Sequence, residues 1–384
     1  MESAKRGGNK MDKMKRFIDI QVPITHCNLK CDYCYITHMK KRDTKINPFM
    51  YPAEHIGKAL SKKRLGGTCL FNMCGYGETL IPEEIIPIIS AILEQGHYLW
   101  IVTNGLLVKR FEELMKLPQK FKNRLAFKFS FHYRELVRTG QMELFWSNVK
   151  LVQENGCSFS VEVTPTDELI PYIEEVKKEV ESHVNALPHI TIARNQESEK
   201  HIPILSKLSK KEYKNTWKTF NSDMFNFKMS VWGQKRNEYC YAGCWSGLLN
   251  IGNGDLKACY ESRVHNYIFN DISKPIHFTA IGCHCKMPHC YNSHSFLALG
   301  NIPEIRTCTY DRIRNRICTD GTEWLNKQMK EFISQRLEDN NKQFGLGKKV
   351  INEFWYYYLS IKRYIKRKCE VSREKKKCKN ERIT

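Results

Sequence analysis

The sequence predicts an α/β fold, and two observations carry that prediction. Short apolar runs alternate with helical patterns through the first half of the chain, at a repeat of roughly 30 residues, which argues for parallel βαβ units. Chemistry-bearing residues recur at the carboxyl end of each run, the edge where parallel sheets and barrels build their sites. Six such units make an incomplete barrel or an open doubly wound sheet.

The first run, F-I-D-I-Q-V-P-I, alternates apolar and polar positions, with Ile18, Ile20, Val22 and Ile24 on one face. Later runs lie at 68–73, 98–103, 126–131, 159–163 and 189–193. Between the second and third, Pro82, Glu83 and Glu84 suit the first turn of a helix and Gly96 its cap. Two more helices are expected over 141–155, closed by Gly156, and over 167–182, capped by Thr166 or Asp167. The strand ends carry G-Y-G-E (75–78), T-N-G (103–105), S-F-H-Y (130–133), T-P (164–165) and A-R-N (193–195).

The first strand runs into T-H-C-N-L-K-C-D-Y-C-Y, which holds Cys27, Cys31 and Cys34. This spacing places three thiolates on one small inorganic core and leaves a corner without a ligand. A zinc site completed by His26 or His38 is the alternative, although structural zinc wants four ligands and zinc knuckles pair C-x2-C units across a longer gap.

The run C-N-L-K-C-D-Y-C resembles the C-x3-C-x-aromatic-C signature of the radical S-adenosylmethionine (SAM) superfamily. The resemblance covers roughly residues 17–200. It implies a partial (β/α)6 barrel and a [4Fe–4S] cluster on Cys27, Cys31 and Cys34, with SAM on the fourth iron. It also implies that Tyr33 lies near the cofactor, that Gly75, Gly77 and Glu78 serve as the G-G-E motif, and that Thr103, Asn104 and Ser130 contact SAM. Two departures stand out: G-Y-G-E-T replaces the usual G-G-E-P, and no G-x-I-x-G-x-x-E lies near the fifth strand. The implied reaction is reductive cleavage of SAM to a 5′-deoxyadenosyl radical that takes hydrogen from a substrate, for oxidation, cross-linking or epimerisation. A reductase or a flavodoxin- or ferredoxin-type donor would supply the electron. The substrate is a small molecule or peptide, with carbohydrate and peptide both open.

A second cysteine-dense segment follows, with Cys240, Cys244, Cys259, Cys283, Cys285 and Cys290. Its G-N-G-D is a hairpin signal between two apolar strands. A second iron–sulfur cluster is the preferred reading, and zinc with His284, His289 and His294 is the alternative. Cys240, Gly254 and Cys259 resemble the start of the SPASM/twitch extension of radical SAM enzymes, which carries auxiliary clusters. One auxiliary [4Fe–4S] cluster is expected, on Cys240, Cys259, Cys285 and Cys290, with Cys244 and Cys283 as alternates and Cys308 a weaker candidate.

The expected organisation is a basic tail (1–16), a radical SAM core (17–235), a SPASM/twitch-like region (236–300) and a helical segment ending in a basic tail (301–384). This is a partial (β/α)6 barrel with a small cysteine-rich C-terminal extension. Residues 322–345 look helical. The net charge is +21, and residues 362–384 alone hold eleven Lys or Arg against three Glu. That favours an anionic partner or a solvated tail. The aromatic-basic run 354–368 suits either a packed terminal helix or a membrane interface.

No RNA-binding signature accompanies the charge. No apolar stretch approaches the roughly 18 residues of a membrane span, and no secretory signal opens the sequence, so a cytoplasmic protein is expected. Sixteen cysteines in a reducing compartment point to metal binding rather than disulfides. Two competing classes remain: an iron–sulfur electron carrier without SAM chemistry, and a zinc-stapled nucleic-acid-binding protein. At the rim, Arg134, Arg138 and Arg194 are candidates to hold an anionic substrate group, and His132 is a candidate proton donor.

Overall fold

The computed structural model describes residues 11–44, 46–198, 201–260, 262–290 and 292–380, with side chains through 365 and at 368. Among the described residues one sheet of nine strands organises the chain, the first six lying side by side in sequence order and the last three continuing the sheet beyond the first. The six barrel strands are β1 (Met14–Val22), β2 (Thr68–Gly75), β3 (Tyr98–Thr103), β4 (Leu125–Ser130), β5 (Ser158–Val163) and β6 (His189–Ile190). Each pairs in parallel with its neighbour. The helices that join them cover one face of a sheet that stays open, a partial barrel as expected.

Alternation along each strand separates two cores. Ile18, Ile20, Phe71, Leu99, Ile101, Phe127 and Phe129 pack outward under the helices. Phe17, Leu70, Trp100 and Ala126 point inward and form a second core with Phe296, Tyr310 and Phe332 from the C-terminal third. Trp100 has no exposed surface, so truncating it to alanine would cost ~3–5 kcal/mol. The inner core thus plugs the amino end of the barrel and leaves its carboxyl end open.

Three boundaries differ from expectation. The first strand begins at Met14, inside the segment expected to be a tail, because Met14 is fully buried and its amide donates to Gln335 at 3.1 Å. Residues 1–10 of that tail lie outside the described residues.

The cysteine-rich region is not a separate unit. Its hairpin, β7 (Ser246–Asn250) and β8 (Asp255–Lys257), joins β1 in parallel register from Phe17↔Ser246 to Gln21↔Asn250, and β9 (His265–Tyr267) follows antiparallel. The free edge of β1 and the buried Leu249 make that docking favourable.

Residues 322–345 are only partly helical, at Lys327–Ile333 and in a 3-10 turn at Leu337–Asn340, and 301–326 are largely turns. Trp324 is held in a bend outside any helix because its carbonyl accepts from the Phe159 amide and its indole donates to the Val184 carbonyl at 3.0 Å. Tertiary contact overrides local propensity there. A long helix, Leu346–Asn380, closes the chain. Among the described residues no helix is long and apolar enough to cross a membrane.

Candidate cofactor and metal-binding site

The inward face of the barrel turns polar toward its carboxyl end. Phe17 gives way to Asp19 and Gln21, Leu70 to Asn72, Ala126 to Lys128 and Ser130, and Ser160 to Glu162. These residues line a cavity of about 470 Å³ that also reaches Cys27, Cys31, Cys34, Tyr33, Glu78, Thr103 and Asn104. Every residue that the sequence assigned to the first cluster and to SAM lines this one space, Gly75, Gly77 and Ser130 included.

The cysteine loop is seated by the end of β2. The Gly77 amide donates to the Ile24 carbonyl at 3.0 Å, and the Glu78 amide donates to the His26 carbonyl at 2.9 Å. A Cβ on Gly77 would stand 1.7 Å from the His26 carbonyl oxygen, so no other residue fits this approach. Glu78 is buried and its carboxylate is fully engaged. It accepts from the Thr103 hydroxyl at 2.7 Å and from the amides of Asn104 at 2.8 Å and Leu80 at 3.1 Å. Burial raises its pKa, and those three donors oppose the rise. Glu78 therefore ties β2 to β3 and aims Asn104, whose side-chain amide donates to Asn28 at 2.6 Å and lies 3.8 Å from the Cys27 sulfur.

Cys27, Cys31 and Cys34 all line this cavity. Burial, then Glu135, Cys34 and Cys27, push the Cys31 thiol up to about 12, and burial is also the main cause of the rise at Cys27. Buried thiols that repel one another as thiolates call for a positive centre among them. Three cysteine donors suit an iron–sulfur cluster, whose corners take separate thiolates.

Beside the cysteine loop, burial lowers His132 to about 4, and its neutral ring shares a hydrogen bond with the Tyr33 hydroxyl at 2.6 Å. A proton-donor role for His132 does not suit that state. Arg134 pairs with Asp32 at 3.0 Å and Arg138 with Glu135 at 2.8 Å, so both are surface ion pairs rather than anion ligands. Arg194 does line the cavity, donating to Asn292 at 3.2 Å and lying 4.0 Å over the Tyr35 ring.

The deeper charges were missed by sequence reasoning. Glu162 pairs with Arg314 and with Lys128 at 3.4 Å. Burial works against its charge, but Lys128, Arg314 and Lys228 hold its carboxyl below the usual range. Asp19 accepts from Tyr260 and from Asn72 at 2.7 Å, and burial raises its pKa. Lys228 is buried, and its ammonium donates to the Thr191 hydroxyl at 2.8 Å. Burial and then Arg194 lower it to about 7. His294, also on the cavity wall, has a buried Nδ1 without a hydrogen-bond partner. Asp19, Lys128 and Glu162 had a signal in the polar members of the strand alternation. Lys228 and Arg314 had none, and His294 was expected only as a zinc ligand of the second cysteine segment.

A second cavity of about 410 Å³ adjoins the first. Cys240, Cys259, Cys285 and Cys290 all line it, and Tyr260 and Asn292 line both spaces. Burial raises the Cys290 thiol, and Cys259, Cys240 and Cys285 each add to the rise, so the four thiols lie within electrostatic reach of one another. Of the alternates, Cys244 is buried in the inner core with its thiol on the Phe278 carbonyl at 3.3 Å, and Cys283 is exposed. Neither lines this cavity, and neither does the half-buried Cys308. Of the three histidines, His284 and His289 reach it, whereas His294 belongs to the barrel cavity.

A parallel partial barrel with a three-cysteine loop at its carboxyl rim defines a class: barrel domains built around a cluster and a small-molecule cofactor. Residues 22–187 match the Radical SAM superfamily. Domains of that superfamily imply a [4Fe–4S] cluster and SAM.

Among solved structures, Streptococcus suis SuiB bound to S-adenosylmethionine is similar, with 16% identity over 67% of this chain and 64% of that one, and a TM-score of 0.47. The chain thus matches just under two thirds of the length of SuiB. Native anSMEcpe with bound AdoMet and Cp18Cys peptide shares 15% identity over 93% of this chain and 99% of that one, at a TM-score of 0.45. BtrN in complex with AdoMet and 2-DOIA shares 14% identity over 86% and 92%, at 0.34. No curated protein matches the chain.

Proposed function

We propose that the chain is a radical SAM enzyme acting on a substrate that carries an anionic group. The observation that carries the reading is the single cavity shared by Cys27, Cys31 and Cys34 with Tyr33, Gly75, Gly77, Glu78, Thr103, Asn104 and Ser130. When bound, the cluster and SAM supply reductive cleavage of the sulfonium bond and hydrogen abstraction, with the electron taken from a separate reductase or flavodoxin- or ferredoxin-type donor.

The chain's own residues do the rest. The three thiolates hold the cluster, and Asn104 lies against Cys27 beside it. Glu78 fixes Asn104 and the G-Y-G-E backbone, while Tyr33 and His132 close the wall behind the loop and keep water out. Lys228, Arg194 and His294 line the same cavity. The cavity's three carboxylates, Asp19, Glu78 and Glu162, are already engaged with protein donors. A buried ammonium beside an arginine then favours an incoming phosphate or carboxylate, on either a sugar or a peptide.

Cys240, Cys259, Cys285 and Cys290 form a donor set suited to an auxiliary [4Fe–4S] cluster. Tyr260 and Asn292 line both cavities, so a cluster held there would adjoin the substrate space. An electron carrier would have no use for the polar barrel cavity.

The test is anaerobic reconstitution, reduction and measurement of 5′-deoxyadenosine from SAM. Wild-type protein is expected to form it and Cys31→Ala to form none. Deoxyadenosine undiminished in Cys31→Ala would overturn the assignment of the active cluster.

A further inference from the structure

The C-terminal helix shows a face that the proposed reaction does not use. It docks on the cysteine-rich region through Asn352, whose side chain donates to the Ala280 carbonyl at 3.0 Å and accepts from the Ala280 amide at 2.9 Å. Glu353 pairs with His284, whose ring stacks on Tyr356 with centroids 4.9 Å apart. These contacts fix the rotation of the helix. Its other side is left in solvent.

That side is large and apolar. Ile351, Phe354, Trp355, Tyr358 and Ile365 stand at helical spacing on one stripe, and all of them are exposed. Ten of the large apolar side chains that the described residues expose fall between Leu346 and Ile365. A stripe of that length runs about 30 Å, far beyond the scattered apolar exposure of an ordinary surface.

Composition says what covers it. Trp and Tyr with Lys and Arg at their flanks is the chemistry of the membrane–water boundary, where rings sit among headgroups and long cations reach outward. Lys348, Lys362 and Lys368 are exposed beside the stripe, and Lys368 lies 4.9 Å from the Tyr364 ring. No acidic residue occurs from Phe354 to Cys369, while five Lys or Arg do. Pairing this face with a second copy would set like charges against each other, since a coiled coil needs opposite charges at its margins. An anionic bilayer neutralises them.

We propose that the exposed face of helix Leu346–Asn380 seats the protein on the surface of an anionic lipid bilayer, lying in the interface plane without crossing it. Tyr357, Ile361 and Tyr364 line the cysteine cavity, so that cavity opens beside the seated stripe. The proposal is independent of the cofactor reading.

The test is co-sedimentation of the full chain with vesicles of phosphatidylcholine plus phosphatidylglycerol, and with phosphatidylcholine alone. The expected result is recovery with the mixed vesicles, falling at least about tenfold on phosphatidylcholine alone or at high salt. Phe354→Glu combined with Ile365→Glu should abolish it with the thermal melt unchanged, and Lys362→Gln combined with Lys368→Gln should weaken it. Wild-type protein left in the supernatant of the mixed vesicles overturns the proposal. So does binding that survives Phe354→Glu with Ile365→Glu. Light scattering that shows a dimer abolished by those substitutions, with no vesicle binding, would assign the face to self-association instead and overturn it as well.

Discussion

Tyr260 donates its hydroxyl to the buried carboxylate of Asp19 and so ties the residue after Cys259 to the inner face of β1. This one bond crosses from the cysteine cavity to the barrel cavity, and Tyr260 lines both.

Tyr260→Phe should therefore destabilise the fold by ~1–3 kcal/mol, the cost of leaving a buried acceptor short of a donor. The loss depends on pH. Burial raises the Asp19 pKa, so its contribution is fully present below the unfolded value and fades as pH rises through the folded one. Removing the Tyr260 donor raises that pKa further. Urea unfolding of wild type and variant at acid and neutral pH should show the gap widening toward neutral.

Lys228 predicts the opposite sign. Its folded pKa falls from 10.5 to about 7, so the unfolded chain binds more protons through that window and stability rises with pH across it. Lys228→Met removes the dependence. Wild type should gain on the order of a few kcal/mol relative to Lys228→Met between about pH 7 and pH 10. A parallel pH profile for the two proteins would refute the buried, cation-flanked setting of this lysine.

Gly77→Ala tests the seating of the cysteine loop. Its Cβ would meet the His26 carbonyl at 1.7 Å, against backbone that cannot yield cheaply. The expected outcome is a loss above ~3 kcal/mol or a displaced loop. Iron and sulfide after reconstitution should then fall toward the content of Cys31→Ala, and retention at the wild-type level would show that the loop tolerates the shift.

Cys290→Ala and Cys244→Ala separate the two cysteine environments. Cys290 lies within electrostatic reach of Cys240, Cys259 and Cys285, whereas Cys244 is packed on the Phe278 carbonyl. Iron per chain should drop in Cys290→Ala and stay at the wild-type level in Cys244→Ala. The reverse result would move the donor set.

Much of the barrel is legible in the sequence because local rules fix it. The alternation of Phe17, Ile18, Asp19 and Ile20 sets which residues face which core, and the G-N-G-D turn sets the β7–β8 register of Asn250 on Asp255. The cysteine loop, G-Y-G-E and T-N-G are legible for the same reason: each stands where a parallel strand must end. Asp19, Lys128 and Glu162 were half legible. Their alternation shows that they face away from the helices, but an open sheet would turn that side to solvent, whereas curvature turns it into a cavity.

The sequence by itself determined the βα repeat, the three-cysteine loop and the polar strand ends. It also held the four cysteines that meet in the second cavity. Only the tertiary structure decided that Lys228, His294 and Arg314 enter the barrel, that the hairpin continues the sheet at β1, and that one face of the last helix stays uncovered. The physical reason is separation along the chain. Periodicity and turn chemistry act over a few residues, whereas Arg314 meets Glu162 across 152 positions, a contact that only the packing of the inner core brings about.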